Sequence, residues 1–293
     1  LSHHPSTVMP TQFLLEKSRE DPEKPPEFLK ELAVENIESR PFFGRQKELA
    51  QLDEWLKRAR HKEGKAVFIS GEPGSGKTYL LSEFAKRALN QNSDILILWG
   101  QCNAFTGQGD PYYPFITILR MLAGNLEPLI PSAIITVDHL ERLWRYLPDM
   151  LDCLVSYGPD LIKRHFGDMR EFSLAQTHPG LRGATWNSLE QLLQEKTKKS
   201  LGQVALNDQF TRVVSALSKE HPIILVLDDL QWIDDGSASL LFHLGRQLTG
   251  QRILLVGAFR SEEVEILHQE HKHALIGILQ ELSVIYGKNT INL

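Results

Sequence analysis

Apolar residues along this chain fall into two rhythms. Continuous runs of four to seven occur at residues 66–69, 95–98, 223–227 and 253–259, and runs of that length without alternation predict strands buried on both faces, as parallel sheets require. The strands are expected over 66–69, 94–99, 223–227 and 253–259, with a final one at 290–293. Between them the spacing changes to that of helices. Leu49, Leu52, Trp55, Leu56 and Ala59 share one helical face over 45–60, and Leu80, Leu81, Phe84, Ala85 and Leu89 share another up to about residue 90. Helices are also expected over 204–217, over 237–248 with Asp235 as its cap, and near 274–282.

Five strands alternating with helices predict an α/β fold with a doubly wound, mainly parallel sheet and right-handed crossovers. One stretch interrupts the alternation. Residues 103–202 contain helical patterns from Pro111-Tyr112-Tyr113-Pro114-Phe115 through 122, and over 137–146, 150–155 and 188–194. They are read as a helical insertion between the second and third strands. Its charged tail, Glu195 to Lys199, reads as a solvated helix end in preference to a nucleic-acid or partner patch. Residues 1–41 carry Pro5, Pro10, Pro22, Pro25, Pro26 and Pro41 around a charged stretch, the composition of a linker or extended arm, with short helices at 11–19 and 27–35. The domain proper is expected over 42–293. The chain opens on Leu1 and ends as its last strand forms, so it is read as a fragment of a longer protein.

Composition narrows the function classes. With 293 residues and 42% hydrophobic content, a substantial core is expected, and a formal net charge of −5 argues against general attraction to nucleic acid. Cys102 and Cys153 lack CxxC spacing, so neither a disulfide framework nor a zinc ribbon is indicated. No apolar run approaches the roughly 18 residues that span a bilayer, and the N-terminus lacks a signal-peptide pattern. A cytoplasmic location is expected.

The chemistry centres on residues 71–78, Gly-Glu-Pro-Gly-Ser-Gly-Lys-Thr, which form a complete GxxxxGK[ST] phosphate-binding loop directly after the first apolar run. Gly71, Gly74 and Gly76 let the backbone curl so that successive N–H groups face phosphate oxygens. Nucleotide contacts are expected from Glu72, Pro73, Gly74, Ser75, Gly76, Lys77, Thr78 and Tyr79. Lys77 reaches the β- and γ-phosphates, Thr78 offers its hydroxyl to Mg²⁺, and the following helix adds its positive dipole end.

Hydrolysis further needs a metal anchor and a group that positions water. Asp228 and Asp229 end the run 223–227, where an open α/β sheet places its ligand crevice. Asp228 is therefore read as a Mg²⁺ ligand and Asp229 as the group that orients or activates water, with capping of the following loop as the alternative for either. Arg260 ends the next strand; it either reaches the γ-phosphate or forms a surface ion pair with Glu262 or Glu263. His268, His271 and His273 are read as a polar loop in preference to a metal site, since no paired cysteine accompanies them.

Phe42-Phe43-Gly44-Arg45 with Glu48-Leu49, the loop at 71–78, the segment Leu227-Asp228-Asp229-Leu230-Gln231-Trp232-Ile233-Asp234, and Leu255-Val256-Gly257-Ala258-Phe259-Arg260 together resemble the STAND class of AAA+-like signal-transduction ATPases. Residues 107–115 are similar to its bacterial branch, whose ATPase module is joined to tetratricopeptide repeats, transcriptional-activator helices or cyclase domains. The resemblance covers 42–293. It implies that Gly44 and Arg45 lie beside the adenine, although the residues alone read equally as a turn before the first helix. It also implies that Arg260 senses the γ-phosphate. Members of the class typically continue into a winged-helix lid that closes over ADP; the chain is expected to stop before it.

Two function classes follow. One is a regulatory switch that binds ATP or ADP with Mg²⁺ and hydrolyses ATP slowly, read out by attached or separate regulatory domains. The other is a non-hydrolysing module in which nucleotide is structural and the insertion docks a partner. A nucleic-acid motor shares the core and requires an oligomer with an arginine in trans, for which Arg246 and Arg252 are the weak candidates. No NKxD element is present to read guanine.

Overall fold

The computed structural model describes residues 44–103, 111–125, 136–181, 183–195, 202–270 and 273–293. The arm at 1–41, the Phe42-Phe43 pair and the charged tail at 196–199 lie outside the described residues. Five strands form one sheet: β1 (Lys65–Ser70), β2 (Leu96–Gln101), β3 (Ile223–Asp228), β4 (Ile253–Phe259) and β5 (Thr290–Asn292). Their order is β2-β3-β4-β1-β5, and every pairing is parallel. The continuous apolar runs have the cause expected of them, because β3 and β4 are buried along their whole length with helices on both faces.

Helices α1 (Gln46–Arg60) and α2 (Lys77–Gln91) flank β1. Between β2 and β3 lies the helical insertion, made among the described residues of α3 (Tyr113–Leu122), α4 (Val137–Arg145), α5 (Leu147–Tyr157), α6 (Pro159–His165), α7 (Ser173–Thr177) and α8 (Ala184–Gln194). It is followed by α9 (Gln203–Glu220). Then come α10 (Asp235–Gly245) after β3, and α11 (Ser261–Glu270) and α12 (Ala274–Tyr286) after β4. The insertion is packed into the same core as the sheet. Phe115 on α3 meets Phe210 on α9 edge to face at 5.1 Å between ring centroids, and both rings are buried.

Three details depart from the sequence reading. Asp234 caps α10, its side chain accepting from Ser237 N–H at 2.9 Å; Asp235 is the first helical residue, so the cap lies one position earlier than expected. The short helices α6 and α7 carry too few apolar repeats to show a period. Helix α11 runs through His268, one of the three histidines read as a polar loop; His271 lies outside the described residues, and His273 caps α12 by accepting from Leu275 N–H at 3.2 Å.

Strand register sets up the site. Ser70 pairs with Phe259, Leu227 with Gly257, and Gln101 with Asp228. The C-terminal ends of β1, β2, β3 and β4 therefore finish at one edge, and the residues just beyond them share a crevice.

Candidate functional site at the strand ends

The loop after β1 turns tightly, with Ser75 N–H donating to Glu72 O at 3.2 Å. Gly74 and Gly76 adopt φ of 77° and 88°, a left-handed conformation that favours glycine. A Cβ at either would meet nothing within 4 Å, so the requirement for glycine there is conformational and the space beside the loop is open. The loop leads straight into α2, whose first residue is Lys77, and so turns the positive end of that helix toward the crevice.

Lys77 is 8% exposed. Its ammonium donates to Gly71 O at 2.9 Å and Glu72 O at 2.8 Å. Burial lowers its proton affinity, and the positive charge of Arg260 lowers it further, against opposing pulls from Asp228, Asp229 and Glu263.

Thr78 Oγ1 donates to Asp228 Oδ2 at 2.7 Å. The other oxygen of Asp228 accepts from Asp229 N–H at 2.9 Å. Burial raises the Asp228 pKa, partly offset by the Thr78 hydrogen bond. A hydroxyl and a carboxylate in contact at the foot of a phosphate-binding loop are hard oxygen donors of the kind Mg²⁺ takes together with phosphate oxygens and water. The donor set therefore fits a magnesium–triphosphate.

Asp229 takes the left-handed conformation at φ 55°, which Asp tolerates better than most residues. The turn carries its carboxylate away from Asp228 and between two amides: Gln101 Nε2 donates at 3.1 Å to one oxygen, and Gln231 Nε2 donates at 2.8 Å to the other. Arg260 approaches Asp229 Oδ1 at 4.0 Å and donates to Glu263 at 2.7 Å. That hydrogen bond to Glu263 raises the Arg260 pKa. Arg260 follows β4 beside the crevice and forms the ion pair with Glu263, one of the two alternatives the sequence left open for it.

Gly44 and Arg45 begin α1 with positive φ at both residues, and Arg45 pairs with Glu48 at 3.1 Å. That is the turn that opens α1, as the residues alone allowed. Tyr79 lies on the first turn of α2 and is 37% exposed. Among the described residues no cluster of three or more His, Cys, Asp or Glu side chains gathers to hold a metal.

The sequence reading assigned no role to Gln101 or Gln231. Gln101 was recoverable by the rule that selected Asp228 and Arg260, as the polar residue that follows an apolar strand at the same sheet edge.

A parallel sheet in this order, with a GxxxxGK[ST] loop between β1 and α2 and paired aspartates at the end of β3, defines an α/β P-loop NTPase fold. Residues 41–256 match the AAA ATPase domain family, and the chain belongs to that family of nucleotide-binding domains. The chain is also similar to an uncharacterized protein of Rhizobium meliloti (strain 1021), with 23% identity over 221 residues. That stretch takes in 75% of this chain and 18% of the relative's length. No helix among the described residues is long and apolar enough to cross a membrane.

Proposed function

We propose that the chain is the ATP-binding and slowly hydrolysing switch module of a larger signalling or transcription-regulating protein, of the STAND class that its sequence resembles. The observation that carries the reading is the meeting of Lys77, Thr78, Asp228, Asp229 and Arg260 at the ends of three adjacent strands. In this reading the N–H groups of residues 72–79 and the Lys77 ammonium hold the phosphates. Thr78 and Asp228 would hold Mg²⁺, which would supply charge neutralisation to the phosphates when bound. Asp229 orients water for attack on the γ-phosphorus; the bond to the bridging oxygen breaks and ADP leaves with its electron pair.

Arg260 reads the γ-phosphate by exchanging its contacts with Glu263 and Asp229 for phosphate oxygens. Differential contacts of this kind are what allow ATP and ADP to favour different conformations. Gly44 and Arg45, at the opening of α1, are assigned to the adenine side. Attached or separate regulatory domains, in the cytoplasm, supply the readout, and a nucleotide-dependent oligomer is compatible with the class.

The test is binding of ATP in Mg²⁺ by the 293-residue chain and by Lys77→Ala, followed by single-turnover hydrolysis with Asp229→Ala. Binding that Lys77→Ala abolishes, with turnover that Asp229→Ala removes, is the expected result. Absence of Lys77-dependent binding defeats the reading. Binding without turnover in the parent favours the non-hydrolysing module, a reading supported by the engagement of both Asp229 oxygens with glutamine amides.

A further inference from the structure

Gln231 is 1% exposed, and both ends of its carboxamide are engaged. Nε2 donates to Asp229 Oδ1 at 2.8 Å, while Oε1 accepts from the backbone N–H of Arg260 at 3.1 Å. The backbone of the same residue is held from a third side, because His273 Nε2 lies 3.1 Å from Gln231 O. His273 Nδ1 accepts from Leu275 N–H, which leaves its proton on Nε2 and makes that nitrogen the donor to Gln231 O. One buried residue thus joins the turn after β3, the first residue beyond β4 and the start of α12.

We propose that Gln231 is a positioning residue for hydrolysis, a two-ended amide strap that aims the Asp229 carboxylate and ties its orientation to the backbone of Arg260. The inference rests on the ATPase reading above. An amide suits the task because it offers a donor and an acceptor side by side without charge. A carboxylate in its place accepts from Arg260 N–H but confronts Asp229 with a like charge, and an apolar side chain takes a partner from two part-buried polar groups. Asp229 sits in a left-handed turn at the edge of the sheet, and a carboxylate there needs lateral support to hold one direction. Small misplacements of a reacting group cost large factors in rate. The strap also explains how a shift of Arg260 toward phosphate reaches Asp229: the two are joined through a rigid side chain as well as through their long 4.0 Å approach.

The decisive comparison is single-turnover ATP hydrolysis and mant-ADP binding for the parent chain, Gln231→Met and Gln231→Glu, with melting temperatures alongside. Both variants are expected to lose at least tenfold in kcat while KM and the mant-ADP affinity stay within about twofold. A Gln231→Glu protein that keeps the parental rate overturns the proposal, since accepting from Arg260 N–H is then sufficient. Parental rates in both variants overturn it as well, with the ATPase reading intact. So does a Gln231→Met protein whose kcat, affinity and melting temperature fall together while Gln231→Glu is normal, which marks a packing role. A parent that binds nucleotide and shows no turnover instead removes the ATPase reading, and this inference with it.

Discussion

Thr78 Oγ1 and Asp228 Oδ2, 150 residues apart in sequence, share a hydrogen bond of 2.7 Å. The contact joins the first turn of α2 to the end of β3 and sets two oxygen donors side by side. Thr78→Val keeps the shape and removes the hydroxyl, so nucleotide affinity should fall at least tenfold in Mg²⁺ and change less than twofold in EDTA. Asp228→Asn should have an opposite effect on the two properties of the protein. Burial raises the Asp228 pKa, so the folded state binds its proton more tightly than the unfolded chain. Stability is then highest below the ordinary carboxylate range and falls as pH rises through the raised value. The asparagine variant escapes that loss. It should melt at a higher temperature than the parent at pH 7 without nucleotide while losing Mg²⁺-dependent binding, the trade-off usual for functional residues; calorimetry with and without nucleotide checks both.

Asp234 joins the turn after β3 to the insertion. Its carboxylate caps α10 and also accepts from Tyr112 N–H at 3.3 Å. Tyr112 itself sits at φ 71° at the start of α3. Asp234→Ala loses the cap and leaves the Tyr112 donor unmet, a cost of about 2 kcal/mol. Asp234→Asn keeps an acceptor for both donors and should recover most of it. Urea denaturation of the three proteins measures the difference; equal losses in both variants would show that the charge matters and the hydrogen bonds do not.

The sheet was legible because parallel strands buried on both faces leave uninterrupted apolar runs, and β3 and β4 fell where those runs lie. Asp228 and Arg260 were legible for a related reason: a polar residue that ends such a run has one place to go, the crevice at the strand ends; Lys77 was legible through the GxxxxGK[ST] loop. Other features were hidden for physical causes. Helix α11 buries Val264 within a mixed acidic stretch, so no apolar stripe announces it. Gln231 is a neutral amide whose partner is set by the left-handed turn at Asp229, and Gln101, although its place at a strand end was recoverable, meets Asp229 only through strand register. Neither is encoded in local spacing, and the Asp234 cap differs from its neighbour Asp235 only in which carboxylate the turn aims at Ser237.

Gly100 on β2 lies under the start of α3, where a Cβ would come 2.4 Å from Pro114 O and 2.9 Å from its carbonyl carbon. Both obstructing atoms are backbone, so α3 must move as a body or the strand must distort. Gly100→Ala should therefore cost about 3 kcal/mol, at the upper end of ordinary overpacking. Since α3 follows Gln101 closely, the variant should also reduce turnover more than nucleotide affinity. A variant with parental urea midpoint would show that the insertion docks less tightly on β2 than the packing indicates.

His139 on α4 provides a pH dependence whose sign is fixed by burial. It is 1% exposed, its Nε2 lies 3.1 Å from Ile97 O on β2, and Nδ1 has no partner. Desolvation lowers its pKa to about 4, outweighing the hydrogen bond to Ile97, with the Arg142 charge acting in the same direction as burial. The unfolded chain binds a proton near the ordinary imidazole value of 6.5, so between that pH and about 4 it holds more protons than the folded state. Stability is complete above 6.5 and declines as pH falls through this window. At about 1.4 kcal/mol per unit, the loss from pH 7 to pH 5 is about 2 kcal/mol from this residue. Burial also lowers the pKa of His178, which steepens the decline. His139→Leu forfeits the bond to Ile97 and should be less stable at pH 7, yet it should lose about 2 kcal/mol less than the parent on going to pH 5. Urea titrations at the two pH values give both numbers, and parallel losses in the two proteins would mean that His139 is protonated inside the fold or exposed before the fold opens.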